Sequence, residues 1–588
     1  MKTRKQWALR PVTPEELWTD REWHLNSLHD WSLKAITRRT SSTVLLGRRR
    51  LGKTEIFKQI VNRLFFEQDH RDPEAAVPVY YSIRDDYRNE YHFTAEYISN
   101  YLRWHLAFRN RDIRYLDIQG FPDRKVADAV RSDPELARMM GYIPEYLEEA
   151  LEEKGPYFPT QTAIKLPRSV ADREDTTAVI FIDEFQNTLQ PQNDFNIVSC
   201  FHESVESRTC PHFVTGSALS IIQTDILGRG SLFGRFHGMR IEPLTEYFGA
   251  ELALKVARYN NVELPEIMAP AAAARCGSNP FYITAVVRYS ADLGKPILDE
   301  SALDEVLAEA VSGGPIWAEL ADQVNRWIDR MNEYGITKWV LYLSALEDEE
   351  RISLERIKHE LWERDRQDVS LETIRDVLIK LSKGDLVEYG DFGGWFRKMD
   401  DPILLDFLKV WGQVVAEGRD ISVPKNRLRE EYEAYKRRVA DHKGYLAEIY
   451  MTQVLWNAQD KGLPGRLFNQ AQDVKIPRFT YIHQRVNDGG LQVDVKAAAG
   501  PECWLCESKY RRDRKVNTDE VERLQRQLEI FRADRGDRVP RLRAWFFSRD
   551  GFTEEAREFM DAKGMFYSER ADLDELLAML GLRTLPEL

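Results

Sequence analysis

The chain has 588 residues, 43% of them hydrophobic and 11% aromatic, and a formal net charge of −13. That length exceeds a single core and predicts three or four globular domains, and the charge excludes a uniformly basic nucleic-acid binder while leaving local basic patches open. Five cysteines argue against a disulfide framework and for a reducing, cytoplasmic setting, no apolar run approaches the roughly 18 residues of a membrane helix, and the basic start Lys2, Arg4, Lys5 lacks the apolar stretch of a secretory signal.

Leu17 to Leu28 reads as a helix packed through Trp18, Leu25 and Leu28. Val44-Leu45-Leu46 then reads as a buried strand that stops at Gly47. From Gly47 through Arg48, Arg49, Arg50, Leu51, Gly52, Lys53 and Thr54 the chain fits GxxxxGK(S/T) without mismatch. Ile56, Phe57, Ile60, Val61, Leu64 and Phe65 follow at helical spacing. Between a strand and a helix, the two glycines let the backbone turn its N–H groups inward, and the helix start adds partial positive charge. Lys53 is expected at the β/γ-phosphates of ATP and the Thr54 hydroxyl on Mg²⁺.

Pro78 to Ile83 reads as a second strand, followed by a helical insertion at about 85–175. Its Tyr97, Tyr101 and Trp104 interleave with Arg103, Arg109 and Arg111. Such a set stacks on bases, or packs helices with arginine stems laid along apolar surface. Ala178 to Ile182 is an apolar strand ending in Asp183 and Glu184. Asp183 is expected to organise Mg²⁺, and Glu184 to act as general base on the attacking water. His212 to Ser217 is a third buried strand, with Ser217 either a γ-phosphate sensor or a helix cap. Arg229 and Arg235, on a glycine-rich turn, offer positive charge to a transferring phosphoryl group, in cis or to a neighbouring subunit. Residues 246–332 read as a helical lid containing Gly277-Ser278-Asn279-Pro280.

The Arg-rich loop 47–54, Asp20-Arg21-Glu22, Ile182 to Gln186, Gly234-Arg235-Phe236 and Gly277 to Pro280 together resemble the archaeal-type P-loop ATPases of prokaryotes, in the AAA+/STAND group. The resemblance spans roughly 15–420. It implies an AAA+-like core over 1–245, a lid, a winged helix over 333–424, nucleotide contacts by Arg235 and Pro280, and homo-oligomers through the core. Members often carry a C-terminal nuclease-like domain. Asp20 stands where that family usually has glycine.

Within 337–400, helical patterns start near Trp339, Ile352 and Ser370, and Leu386–Tyr389 and Trp395–Arg397 read as a hairpin. Asp376 and Glu372 beside Arg375 and Lys380 leave the third helix only weakly basic, so it packs on protein or reads DNA. Pro424 and the charged run after it look like a boundary, and 425–588 forms the last domain. There a helix carries Glu448, a strand carries Asp494, and the next strand carries Glu507 and Lys509 on one face. Two carboxylates and a lysine converging suit a divalent metal beside a scissile phosphate, with Asp494 and Glu507 as ligands and Glu448 in support. The Asp494, Glu507, Lys509 spacing resembles the PD-(D/E)XK nucleases, with Val493 in place of the usual proline. Arg511, Arg512, Arg514 and Lys515 follow at once and suit a phosphodiester backbone. Leu542–Ser548 and Thr553–Asp561 complete an α/β/α sandwich, restriction-endonuclease-like by that resemblance. Cys503 and Cys506, three apart on a strand, face opposite ways and read as buried apolar groups.

The sequence therefore predicts an ATPase coupled to a Mg²⁺-dependent nuclease acting on DNA, in defence or DNA repair. Two other readings remain open at this level. One is a STAND-type signalling scaffold whose nuclease-like domain is inactive and binds partners. The other is a DNA-binding regulator using its winged helix.

Overall fold

The computed structural model describes residues 6–154, 159–189, 195–217, 222, 232–332, 334–347, 349–390, 395–436, 442–488, 491–510, 514–535 and 539–586. Two units are distinguished. One comprises Met1–Leu244, Asn279–Tyr289 and Ala308–Asn426, the other Thr245–Ser278, Ser290–Leu307 and Arg427–Leu588.

In the first unit, apolar and β-branched runs form β1 (Thr43–Leu46), β2 (Ala76–Ser82), β3 (Thr177–Asp183), β4 (His212–Thr215) and β5 (His237–Arg240). Every residue of β1, β3 and β4 is buried, as a parallel sheet covered on both faces requires. The sheet is parallel throughout, in the order β2-β3-β4-β1-β5. This order sets the site. With all strands pointing one way, the loops leaving β1, β3 and β4 emerge on one edge, where ligands of open α/β sheets bind. The edge strand β5 was not expected from the sequence, because His237-Gly238-Met239-Arg240 has one buried residue and no apolar run.

The insertion is helical, with Glu90–Asn110, Asp123–Ser132, Pro134–Met140, Ile143–Leu151 and Pro159–Glu174. Tyr97, Tyr101 and Trp104 lie inside the core, so their rings pack the protein and are closed to bases. Arg103 is buried too and does not snorkel. Its guanidinium donates to Asp123 at 2.7 Å and to the Tyr115 carbonyl at 3.1 Å.

The helix Pro315–Met331 leads into Thr337–Leu346, β6 (Arg351–Ile352), Leu354–Asp365, Leu371–Lys383, β7 (Glu388–Gly390), β8 (Trp395–Arg397) and Pro402–Val415. The three short strands pair antiparallel in the order β6-β8-β7. Ile352, expected to open a helix, sits in β6; Ser353 caps the helix that follows by accepting from the Arg356 N–H. Pro424 lies in the first turn of the helix Ser422–Lys436, a position that tolerates proline, so no loop separates the chain there.

In the second unit, β9 (Gly462–Leu463) pairs with β10 (Val474–Lys475). The strands β11 (Tyr481–Asp488), β12 (Leu491–Ala499), β13 (Glu502–Lys509), β14 (Arg541–Ser548) and β15 (Phe566–Glu569) form one mixed sheet in that order. Its first three strands are antiparallel and its last three parallel. Val495, Ala497, Trp504, Cys506 and Trp545 pack with Leu446, Tyr450 and Leu573 of the helices His442–Asn457 and Arg570–Met579. Cys503, Leu505 and Phe546 pack with Leu524 and Met560 of Thr518–Arg535 and Glu554–Lys563. Helices thus cover both faces, and the two cysteines fall in different cores. The helix Glu246–Tyr259 also belongs here, its Tyr247 ring 5.4 Å from that of Tyr450. Among the described residues no helix is long and apolar enough to cross a membrane.

Candidate functional site

β1 ends at Leu46 and the chain turns at Gly47. A Cβ there would collide with the Ile241 side chain and lie 2.7 Å from its carbonyl oxygen, so only glycine lets the loop pass so close. Gly52 has φ 93°, a left-handed conformation that favours glycine, and it hands the chain to the helix Lys53–Glu67. Lys53 is buried, and its Nζ donates to the carbonyls of Gly47 at 2.7 Å and Arg48 at 2.6 Å. Burial pulls its ammonium down to about 8, against the attraction of Asp183 and Glu184.

The end of β3 meets this loop. The Thr54 hydroxyl donates to Asp183 Oδ2 at 2.7 Å, and the Tyr80 hydroxyl, from neighbouring β2, donates to the same oxygen at 3.0 Å. Burial raises the Asp183 carboxyl, and the adjacent Glu184 adds to the shift. Glu184, at φ 53°, turns its carboxylate toward the end of β4. Its Oε2 accepts from Ser217 Oγ at 2.8 Å and from Gln186 Nε2. Gln186 Oε1 in turn accepts from the Ser217 N–H at 3.1 Å. Ser217 is therefore tied to the proposed base. The donor set fits a magnesium-bound triphosphate: a glycine cradle that a Cβ would fill, a buried lysine, and a hydroxyl–carboxylate pair.

The loop arginines behave differently from one another. Arg48 pairs with Glu388 at 2.8 Å and with the Asp400 carbonyl; Arg50, at φ 63°, pairs with Glu319 at 2.9 Å and lies 5.1 Å from the Phe281 ring centre. Arg49 faces Asp385 and Glu184, and burial lowers its pKa. Leu51 belongs to the core. Pro280 opens the helix Pro280–Leu293. Arg235 is not brought to the loop; it is held by Glu206 and His202. Arg229 lies outside the described residues. Asp20 has φ 59° and Arg21 φ 81°, left-handed conformations that favour glycine, and Arg21 donates to the Glu242 carbonyl at 2.7 Å.

In the second unit, Asp494, Glu507, Lys509 and Glu448 lie within electrostatic reach of one another. Lys509 Nζ donates to Glu507 Oε1 at 2.5 Å. Asp494 Oδ2 accepts from the Ser508 N–H at 2.7 Å and its hydroxyl at 3.0 Å. Burial raises the Glu507 carboxyl, with Asp494 adding and Lys509 opposing. Burial also pushes Glu448 up to about 8, with Asp494 and Glu507 adding and Arg485 opposing. Arg485, at φ 52°, lies 3.6 Å from Glu448, and the β11–β12 ladder skips the Arg485–Asp494 couple. Among the described residues, no three His, Cys, Asp or Glu side chains are placed to hold a metal ion, so Asp494 and Glu507 form at most a two-carboxylate set. Arg511 and Arg512 lie outside the described residues, and Arg514 pairs with Glu520 at 3.7 Å.

Sequence reasoning missed Tyr80, Gln186, Arg485 and Glu246. Glu246 is half-buried with its Oε2 enclosed, and its charged neighbour is Arg485; loss of solvent pushes it up to about 7. Gln186 carried the one available signal, a polar residue two positions after the carboxylate pair.

No family model and no curated protein matches the chain. Solved structures that it is similar to include a Walker-type ATPase of Pyrococcus abyssi, at 17% identity and a TM-score of 0.46, covering 68% of this chain and 99% of that one. The ORC2 protein of Aeropyrum pernix matches at 13% identity and a TM-score of 0.39, over 72% of this chain and 96% of that one. The RuvB Holliday junction branch migration motor of Thermotoga maritima matches at 12% identity and a TM-score of 0.30, over 65% and 93%.

Proposed function

We propose that the chain binds and hydrolyses ATP in its first unit and cuts DNA in its second, as a Mg²⁺-dependent nuclease of a defence or repair system. The observation that carries the ATPase half is the 2.7 Å hydrogen bond from Thr54 to Asp183, with Glu184 one residue further on. It joins the two halves of a nucleotide site from segments 129 residues apart.

When bound, magnesium supplies positive charge against the phosphates at Thr54 and Asp183, and against a phosphodiester at Asp494 and Glu507. The protein's own groups do the rest. Lys53 leaves the loop carbonyls for phosphate oxygens and stays largely protonated at neutral pH. Glu184 exchanges the hydrogen bonds from Ser217 and Gln186 for one from water and takes its proton. In the second unit, Ser508 fixes Asp494 through one oxygen, and Lys509 orients the attacking water or steadies charge on the phosphate. The helix and hairpin segment 337–415 reads as a winged helix, with Leu371–Lys383 as the helix that meets DNA.

The second reading is a STAND-type scaffold in which nucleotide exchange toggles partner binding and the second unit is catalytically silent. The lack of a third metal-ligating side chain among the described residues favours it. Plasmid cleavage with Mg²⁺, on wild type, Lys53→Ala and Lys509→Ala, separates the two. The nuclease reading expects Lys509→Ala to lose cutting and keep ATP hydrolysis. Cutting at the wild-type rate by Lys509→Ala would remove the nuclease half.

A further inference from the structure

A cavity of about 580 Å³ is lined by Glu184 and Ser217 together with Arg49 and Arg50 of the loop that follows β1. Its opposite wall is one face of the helix Pro315–Met331, formed by Glu319, Gln323, Arg326 and Trp327. These positions are three, four and eight apart, so they share a stripe. The complementary stripe, Ile316, Leu320 and Val324, is buried and anchors the helix. Glu319 fixes the polar stripe to the phosphate loop through Arg50, at 2.9 Å.

The cavity's arginines differ in how they are held. Arg84 is bound to Asp86 at 2.9 and 3.2 Å, Arg50 to Glu319, and Arg49 is enclosed beside Asp385 and Glu184. Arg326 pairs with Asp322, one turn back on its own helix, and its side chain is 61% exposed. It lies near enough to add positive charge at Arg49. Arg84 also lies 3.6 Å from Glu96, whereas the ion pair of Arg326 stays within its own helix, so Arg326 can swing while that helix keeps its packing.

We propose that Arg326 is a catalytic residue of the ATPase site, supplied in cis. The proposal rests on the ATPase reading above. Water attacks the γ-phosphorus, the bond to the β-phosphate oxygen breaks, and ADP leaves. Glu184 accepts the water's proton, while Arg326 exchanges none and stabilises the charge on the transferring group. This replaces Arg235, which is engaged by Glu206 and His202, and makes hydrolysis depend on the seating of Pro315–Met331.

The test uses the full chain with Arg326→Ala and Arg326→Lys, measuring phosphate release, ATP affinity and trapping by ADP with aluminium fluoride. The expected result for Arg326→Ala is a fall in kcat of at least about 100-fold, ATP affinity within about 3-fold of wild type, and lost trapping. Lysine should not restore the rate, because a point charge lacks the planar fork. Added guanidinium should restore part of it. Mixing Arg326→Ala with Glu184→Gln should give no recovery; recovered activity would place the arginine in trans and overturn the cis assignment. Wild-type turnover by Arg326→Ala, with Glu184→Gln inactive, would overturn this proposal alone. A wild-type chain with no ATP turnover would overturn it together with the reading beneath it.

Discussion

Lys53 and Glu184 are both committed to the protein's own groups, the lysine to loop carbonyls and the glutamate to Ser217 and Gln186. In the proposed ATPase, phosphate and water would take over these contacts, giving each residue an idle position and a working one. Their identities were legible in the sequence because phosphate cradling demands fixed residue types at fixed spacing. The hydrogen bonds that restrain the carboxylates were not legible, because Tyr80 on β2 and Ser217 after β4 reach Asp183 and Glu184 only through sheet order. Glu246 makes the same point in the second unit, since no local pattern marks a half-buried carboxylate near Arg485. Its folded pKa, about 7, lies above the ordinary 4.5. The folded protein therefore holds an extra proton between those values, and the stability this contributes is full below 4.5 and is lost as pH rises through about 7. Glu246→Gln, which mimics the protonated form, should raise Tm by about 2 °C at pH 8 and leave it unchanged at pH 4.5, read by thermal scans. An equal shift at both pH values would mean that the carboxylate is not the cause.

At the scale of elements, β1, β3 and β4 were legible because buried parallel strands must be continuously apolar. β5 escaped because an edge strand carries little burial. The insertion's aromatic–arginine pattern was ambiguous, since packing helices and base-stacking surfaces use the same residues. Burial resolves it: Arg103 is 3% exposed and paired with Asp123, which fixes Glu90–Asn110 against Asp123–Ser132. Asp123→Ala leaves that guanidinium buried with fewer partners. A destabilisation of about 2 kcal/mol is expected, below the usual range for a buried pair because Asp123 is partly exposed. Denaturant unfolding reads it, with ATP affinity little changed in the folded fraction. A neutral substitution would show that the Ser99 hydroxyl, which accepts from Arg103 Nε at 3.1 Å, and the Tyr115 carbonyl suffice to hold Arg103.

For the whole molecule, the sequence places two clusters of chemistry far apart in one chain, and each assembles within its own unit. The first cluster depends on a strand order that brings β1 and β3 to either side of β4. The second depends on antiparallel β12 and β13, which set Asp494 beside Ser508 and Glu507. Sheet order is a non-local property, so the sequence announces which residues are reactive more clearly than which neighbours restrain them. The proposed ATPase requires turnover with Glu184 as base, whether or not the second unit cuts DNA. The decisive measurement is ATP binding and phosphate release on wild type and Glu184→Gln. Glu184→Gln should bind ATP within about 3-fold of wild type and turn over at least about 100-fold more slowly, in the range of a lost general base. Equal turnover in the two proteins would contradict this and move the base to another residue, Asp183 first.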